Sequence, residues 1–231
     1  MAAYAAQADG MAAWVSASPS HRDTLFKLAQ YMCKLVASLG GDRELLQIAR
    51  AINDGRTLMR VFGLLDVLRS LRTTAAVAPT LALVQDCSLA VYHPIEAWYW
   101  LSSHAPRLAP GPPWLSRAIS AVTLVYNACA AVRLSRRLSQ LRKAARDTAS
   151  TPGHSAAAIG REIALVRLQL RRLLLDSMIL IHWALDHPTL RLRDWQVAAI
   201  GVLATSIGLN IQWRAHAHAC EQASALRIKA E

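Results

Sequence analysis

A chain of 231 residues is long enough for one domain or one membrane protein and too short for several independent modules. Hydrophobic residues make up 54% of it and charged residues only 18%, with Leu and Ala dominant, and no run alternates β-branched residues as strands do. The net charge of +11 points to anionic partners, either nucleic acid or an anionic membrane face, and the four scattered cysteines (Cys33, Cys87, Cys129, Cys220) exclude a disulfide framework.

Residues 1–20 read as a leader ending at Ser18-Pro19-Ser20, without the basic start and apolar core of a secretory signal. A helix is predicted from about Ser20 to Leu39, stopped by Gly40-Gly41. On a wheel at 100° per residue, Asp23, Lys27, Gln30, Lys34 and Ser38 share one face, and Leu25, Leu28, Met32, Leu35, Val36 and Leu39 share the other. A second helix is predicted from about Asp42 to Arg72, with a break at Asp54-Gly55. Its wheel groups Arg56, Arg60, Gly63, Asp66 and Ser70 against Leu58, Val61, Phe62, Leu64, Leu65, Leu68 and Leu71. Arg69 and Arg72 fall within the apolar arc, where long stems snorkel toward headgroups. Packing against a core is the commoner fate of such a helix; insertion in a membrane interface is the other.

From Thr80 to His104 the chain is apolar but carries Asp86, His93, Pro94 and Glu96, which reads as a bent helix rather than a simple span. The Pro-rich loop at 106–113 closes an N-terminal amphipathic region, residues 21–105. Residues 114–194 form a second helical region; 118–132 is uncharged but, at 15 residues, short for a span. The segment 133–172 holds ten Lys or Arg against two acids, Asp147 and Glu162, and faces anionic headgroups in this reading. A break at 150–153 separates it from a helix predicted over 156–186.

Residues 195–213 contain no charged side chain and are closed by Trp195 and Trp213. A helix through them is roughly 27 Å long, close to the hydrocarbon thickness of a bilayer, and indole rings favour its edges. The segment therefore reads as a C-terminal transmembrane anchor, with an amphipathic core helix as the alternative. Gly201, Ala204, Thr205 and Gly208 form a small-residue stripe of the kind that lets membrane helices approach, and are the candidate self-association surface. Residues 214–231 are a tail.

Catalytic motifs are missing: no GxSxG, Walker loop, HExxH or Gly-rich nucleotide loop occurs. His216-Ala-His218-Ala-Cys220 suggests metal ligands, but alternate residues on a helix point about 200° apart and do not converge. His182 and Asp186, spaced i, i+4, read as a local hydrogen bond. Neither an enzyme, a metal site nor a cofactor site is expected.

The order of four motifs resembles the peroxin-eleven family (peroxisomal biogenesis factor eleven). They are Arg22-Asp-Thr-Leu-Phe-Lys-Leu-Ala-Gln-Tyr31, Gly55-Arg-Thr-Leu-Met-Arg-Val-Phe-Gly63, Ala90-Val-Tyr-His-Pro-Ile-Glu-Ala-Trp-Tyr-Trp100 and Arg172-Leu-Leu-Leu-Asp-Ser-Met178. The resemblance spans about His21 to His216; Val61-Phe62-Gly63, the loop at 106–113 and the His-rich tail depart from the family pattern. It implies an all-α integral membrane protein of peroxisomes, or glycosomes in some lineages, that inserts an amphipathic helix to curve and elongate the membrane before fission. It also implies self-association and recruitment of fission machinery, including a dynamin-related GTPase and its membrane adaptor. On that reading Leu58, Phe62, Leu65 and Leu68 form the inserting wedge, and Arg56, Arg60, Arg69 and Arg72 contact headgroups. Two other classes remain: a metabolite pore, which Asp86, His93 and Glu96 would line, and a soluble nucleic-acid binder, which the missing aromatic interleaving in 133–146 disfavours.

Overall fold

The structure, a computed structural model, describes residues 2–61, 63–74, 80–148, 154–185 and 191–230. All regular structure among them is helical: α1 (Ala2–Ala17), α2 (Pro19–Gly40), α3 (Arg43–Val61), α4 (Gly63–Thr74), α5 (Thr80–His104), α6 (Leu115–Thr148), α7 (His154–Leu185) and α8 (Asp194–Ala230). No strand occurs among the described residues, and the fold is all-α.

Local chemistry sets the early boundaries. Ser18 Oγ accepts from Ser20 N and Pro19 occupies the first turn, where a missing N–H costs nothing. Gly41 ends α2 in the left-handed region at φ 72° and donates its N–H to the Ala37 carbonyl. Asp42 Oδ1 then accepts from Glu44 N and Leu45 N, capping α3. The expected break at Asp54-Gly55 does not occur; α3 runs through it to Val61, and α4 begins at Gly63. Gly55 keeps a helical φ and open space where a side chain would go, so nothing local interrupts the helix. Pro94 lies inside α5, which continues through it as one helix from Thr80 to His104.

The leader is helical as well. Trp14 of α1 stacks on His21 at 4.6 Å and meets Trp213 edge-on at 6.0 Å, which joins the start of α2 to the middle of α8. Tyr31 of α2, Ile179 of α7 and Val197 of α8 form the buried apolar cluster, with Leu192, Ile200 and Val202 against it. α5, α6 and α7 follow one another as antiparallel neighbours: Gln85 reaches Arg133, Asn127 reaches Ser177, and Arg137 pairs with Glu162. α4 packs on α5 and touches α3.

One helix among the described residues is long and apolar enough to cross a membrane, and it is α6, over Leu115–Asp147. Only 17% of its most apolar window is buried, where the core helix of a water-soluble bundle would be mostly covered. The segment 195–213, expected to be the span, does not qualify. Gln196, Thr205, Asn210 and Gln212 dilute it. Its small residues go instead into packing against α2 and α7, and Gln212 donates to Thr24 of α2 at 3.0 Å. The alternative reading of this segment, an amphipathic core helix, describes its packing.

Candidate membrane-interaction site

The amphipathic helices are turned with their polar faces inward. On α2, Gln30 and Thr24 are buried and Asp23, Lys27 and Lys34 half-buried, while Phe26, Met32, Val36 and Leu39 are exposed. On α3, Arg56 and Thr57 are buried whereas Leu46, Ile48, Leu58, Met59 and Val61 are exposed. Water would penalise this arrangement; a surrounding of lipid or apolar protein would not.

The inward groups are paired. Arg56 is 6% exposed and forks onto Asp23, Nε to Oδ1 at 2.9 Å and Nη2 to Oδ2 at 3.2 Å, while its Nη1 donates to Gln30 Oε1 at 2.6 Å. Gln30 Nε2 donates in turn to Asn53 Oδ1 at 3.1 Å. Arg60 and the Tyr92 hydroxyl both donate to Glu96 Oε1, which ties the end of α3 to α5. Lys27 donates to Asp176 of α7 at 3.0 Å, and Arg172 approaches the same carboxylate at 3.6 Å. Burial pushes the Glu96 carboxyl up, against the opposing pull of Arg60.

This corrects two predicted headgroup contacts. Arg56 and Arg60 face the interior, held by Asp23, Gln30 and Glu96, because a guanidinium that can fork onto a nearby carboxylate does so before it reaches outward. Arg69 and Arg72 of α4 are exposed, as headgroup contacts must be. Of the wedge residues, Leu58, Leu65 and Leu68 are exposed, Leu65 at 65%. Phe62 lies outside the described residues.

Nor does the small-residue stripe on α8 face outward. Gly201, Ala204, Thr205 and Gly208 are all buried. A Cβ on Gly201 would lie 2.3 Å from the Tyr31 ring, and one on Gly208 about 3.1 Å from the Arg172 guanidinium. The stripe accommodates α2 and α7 of the same chain, so it is occupied before a second copy arrives. Trp195 and Trp213 are partly exposed at the two ends of that segment.

Between α2, α3, α5, α6 and α7 lies a half-open cavity of about 650 Å³. Of the three polar residues expected to line a pore, Glu96 borders it; Asp86 instead accepts from Ser70 of α4, and His93 lies beside Gly63. His182 accepts from the Leu192 N–H at 3.1 Å; its predicted partner Asp186 lies outside the described residues. His216 lies 3.6 Å from the Cys220 thiol, one helical turn on. Sequence patterning missed the inward pairing, whose signal was present: Asp23 on the polar face of α2 is opposite in sign to Arg56 and Arg60 on that of α3, and α5 carries Glu96 in a largely apolar run.

The chain matches the family of peroxisomal biogenesis factor 11 (PEX11) over residues 12–213. It belongs to the PEX11 family. No curated protein and no solved structure matches it. PEX11 membership makes it a factor of peroxisome proliferation and membrane remodelling, associated with the peroxisomal membrane, in a family of biogenesis factors rather than enzymes. The PEX11 match runs from the second half of α1 to Trp213, and so covers both the inward-facing network and the exposed α3–α4 face.

Proposed function

We propose that the chain bends the peroxisomal membrane by laying the apolar face of α3 and α4 into one leaflet ahead of fission. The observation that carries this reading is the exposure of Leu58, Leu65 and Leu68 on two successive helices, the first of which has its polar side engaged within the chain. An interfacial helix adds area to one leaflet only, and that asymmetry favours curvature. Leu58, Leu65 and Leu68, with Phe62, supply the wedge, and Arg69 and Arg72 the electrostatic contact with anionic phospholipid headgroups; Arg56 and Arg60 act as braces within the bundle. Anchorage is assigned to α6 rather than to residues 195–213, which makes the protein integral to the peroxisomal membrane, or to the glycosomal one in lineages that have it. Self-association is assigned to a surface other than the α8 stripe, which Tyr31 and Arg172 fill. Fission machinery, a dynamin-related GTPase with its membrane adaptor, is the partner that membership of the family suggests.

The test uses the full chain reconstituted with vesicles containing anionic phospholipid, with tubules counted by electron microscopy. Leu65→Asp removes the burial of a leucine, worth about 2 kcal/mol, and places a charge in its stead. Tubulation is expected to fall at least tenfold while helicity and thermal stability stay within error of the parent. A Leu65→Asp chain that folds and tubulates like the parent sinks the wedge assignment.

A further inference from the structure

We propose that the cavity between α2, α3, α5, α6 and α7 is a binding site for an oxyanion, a carboxylate or phosphate borne by a small molecule or by a lipid headgroup. At about 650 Å³ it has the size of sites that enclose small organic ligands. Its walls carry six cationic side chains, Lys27, Lys34, Arg56, Arg60, Arg117 and Arg191, against three carboxylates, Asp54, Glu96 and Asp176.

Half of these cations are already held by close ion pairs. Asp176, Asp23 and Glu96 answer Lys27, Arg56 and Arg60. Lys34 feels the charge of Asp194 but makes no close ion pair among the described residues; its ammonium sits over the Tyr31 ring, 5.7 Å from the centroid. Burial, and then repulsion from Arg56, push Lys34 below its ordinary value against the opposing pull of Asp194.

The hydrogen-bond inventory points the same way. Arg60 Nε and Trp100 Nε1 are buried N–H groups without an acceptor, and both residues border the cavity. A buried donor left unmade costs about 1–3 kcal/mol, so two of them in a wall with more cations than carboxylates ask for acceptor atoms and negative charge together. A carboxylate or phosphate supplies both. The rings of Tyr31, Trp100 and Trp183 give its carrier an apolar wall. This site is separate from the α3–α4 wedge: Leu58 lies across α3 from Arg56, and Leu65 and Leu68 lie on α4, none of them in the cavity wall.

Calorimetric titration of the purified full chain in neutral detergent tests the proposal with three probes: inorganic phosphate, a short aliphatic carboxylate, and phosphatidylglycerol in mixed micelles. Saturable binding of either free anion identifies a soluble ligand as the source; binding of the lipid alone identifies a headgroup. In both cases Lys34→Gln and Trp100→Phe are each expected to weaken binding about tenfold, the loss of one hydrogen bond to a charged group. Trp100→Phe keeps the aromatic packing while deleting the N–H, which separates recognition from folding. Lys143→Gln, on the exposed basic half of α6, is expected to leave binding unchanged. If none of the three probes saturates, or if binding survives both Lys34→Gln and Trp100→Phe undiminished, the site is not there.

Discussion

Replacing Arg56 by Met distinguishes an interior brace from a headgroup contact, because the two roles predict opposite readouts. Met keeps the apolar stem and removes three donor contacts, two on Asp23 and one on Gln30. Breaking one partner of a buried ion pair costs roughly 3–5 kcal/mol, since the other charge is left without its counterpart. The Asp23 side chain is 27% exposed, so water reaches part of it and the lower end of the range, about 3 kcal/mol, applies. For a chain of this length that is a fall in Tm of roughly 6–12 °C. Asp23→Asn is expected to cost at least as much, because the charge it leaves behind, Arg56, is the more deeply buried, and the double variant should recover part of the summed loss. The assay is thermal unfolding of the four proteins in neutral detergent, with binding to anionic vesicles measured in parallel. A stable Arg56→Met that loses vesicle affinity by the ~1 kcal/mol typical of a surface cation would refute the interior reading.

Three further outcomes follow from the same packing. Gly201→Ala places a methyl 2.3 Å from the ring of buried Tyr31 and is expected to destabilise by about 1–3 kcal/mol in chemical denaturation, whereas Gly208→Ala meets only the movable end of Arg172 and should cost less. Lys34 is held below its ordinary pKa of 10.5, so between its folded value and 10.5 the unfolded chain binds more protons and stability rises with pH. That rise should appear in Tm and be reduced in Lys34→Gln, with Lys27, likewise lowered by burial, supplying the remainder; above pH 10 Tyr31, pushed up to about 12 by burial, contributes with the opposite sign. Gln212→Leu removes the hydrogen bond from α8 to Thr24 and should lower stability by roughly 1 kcal/mol, read as a shift in denaturation midpoint.

Much of the fold was legible because helices announce themselves by period and punctuation. Ser18-Pro19 and Gly41 bound α2 close to where the residues placed it, and the Pro-rich loop separates α5 from α6 as expected. The four motifs that suggested the family lie within the span over which the chain matches PEX11. What a wheel does not tell is which face meets the protein. Asp23, Lys27, Gln30 and Lys34 define a stripe on α2 whether it turns to solvent or to Arg56 and Asp176, and only the partners decide. The same holds for residues 195–213: a run of small and apolar residues suits a bilayer and suits Tyr31 equally well. In α6 the charged second half, from Arg133 onward, hid the continuity of a single helix that begins at Leu115.

That continuity has a geometric consequence. A helix of 34 residues is roughly 51 Å long, against about 30 Å of hydrocarbon. If the apolar half, 115–132, crosses the bilayer, the remaining 16 residues continue without a break for about 24 Å beyond it. Electrostatic attraction fades over about 8 Å at physiological salt, so Arg142, Lys143 and Arg146 would stand two to three screening lengths from the surface they were expected to touch. α7 runs back along the same rod, Glu162 beside Arg137, which puts Arg161 about one screening length out and Arg167 at the surface itself. The basic segment is then less a foot resting on the membrane than a post, presenting positive charge to whatever anionic body approaches that side of it.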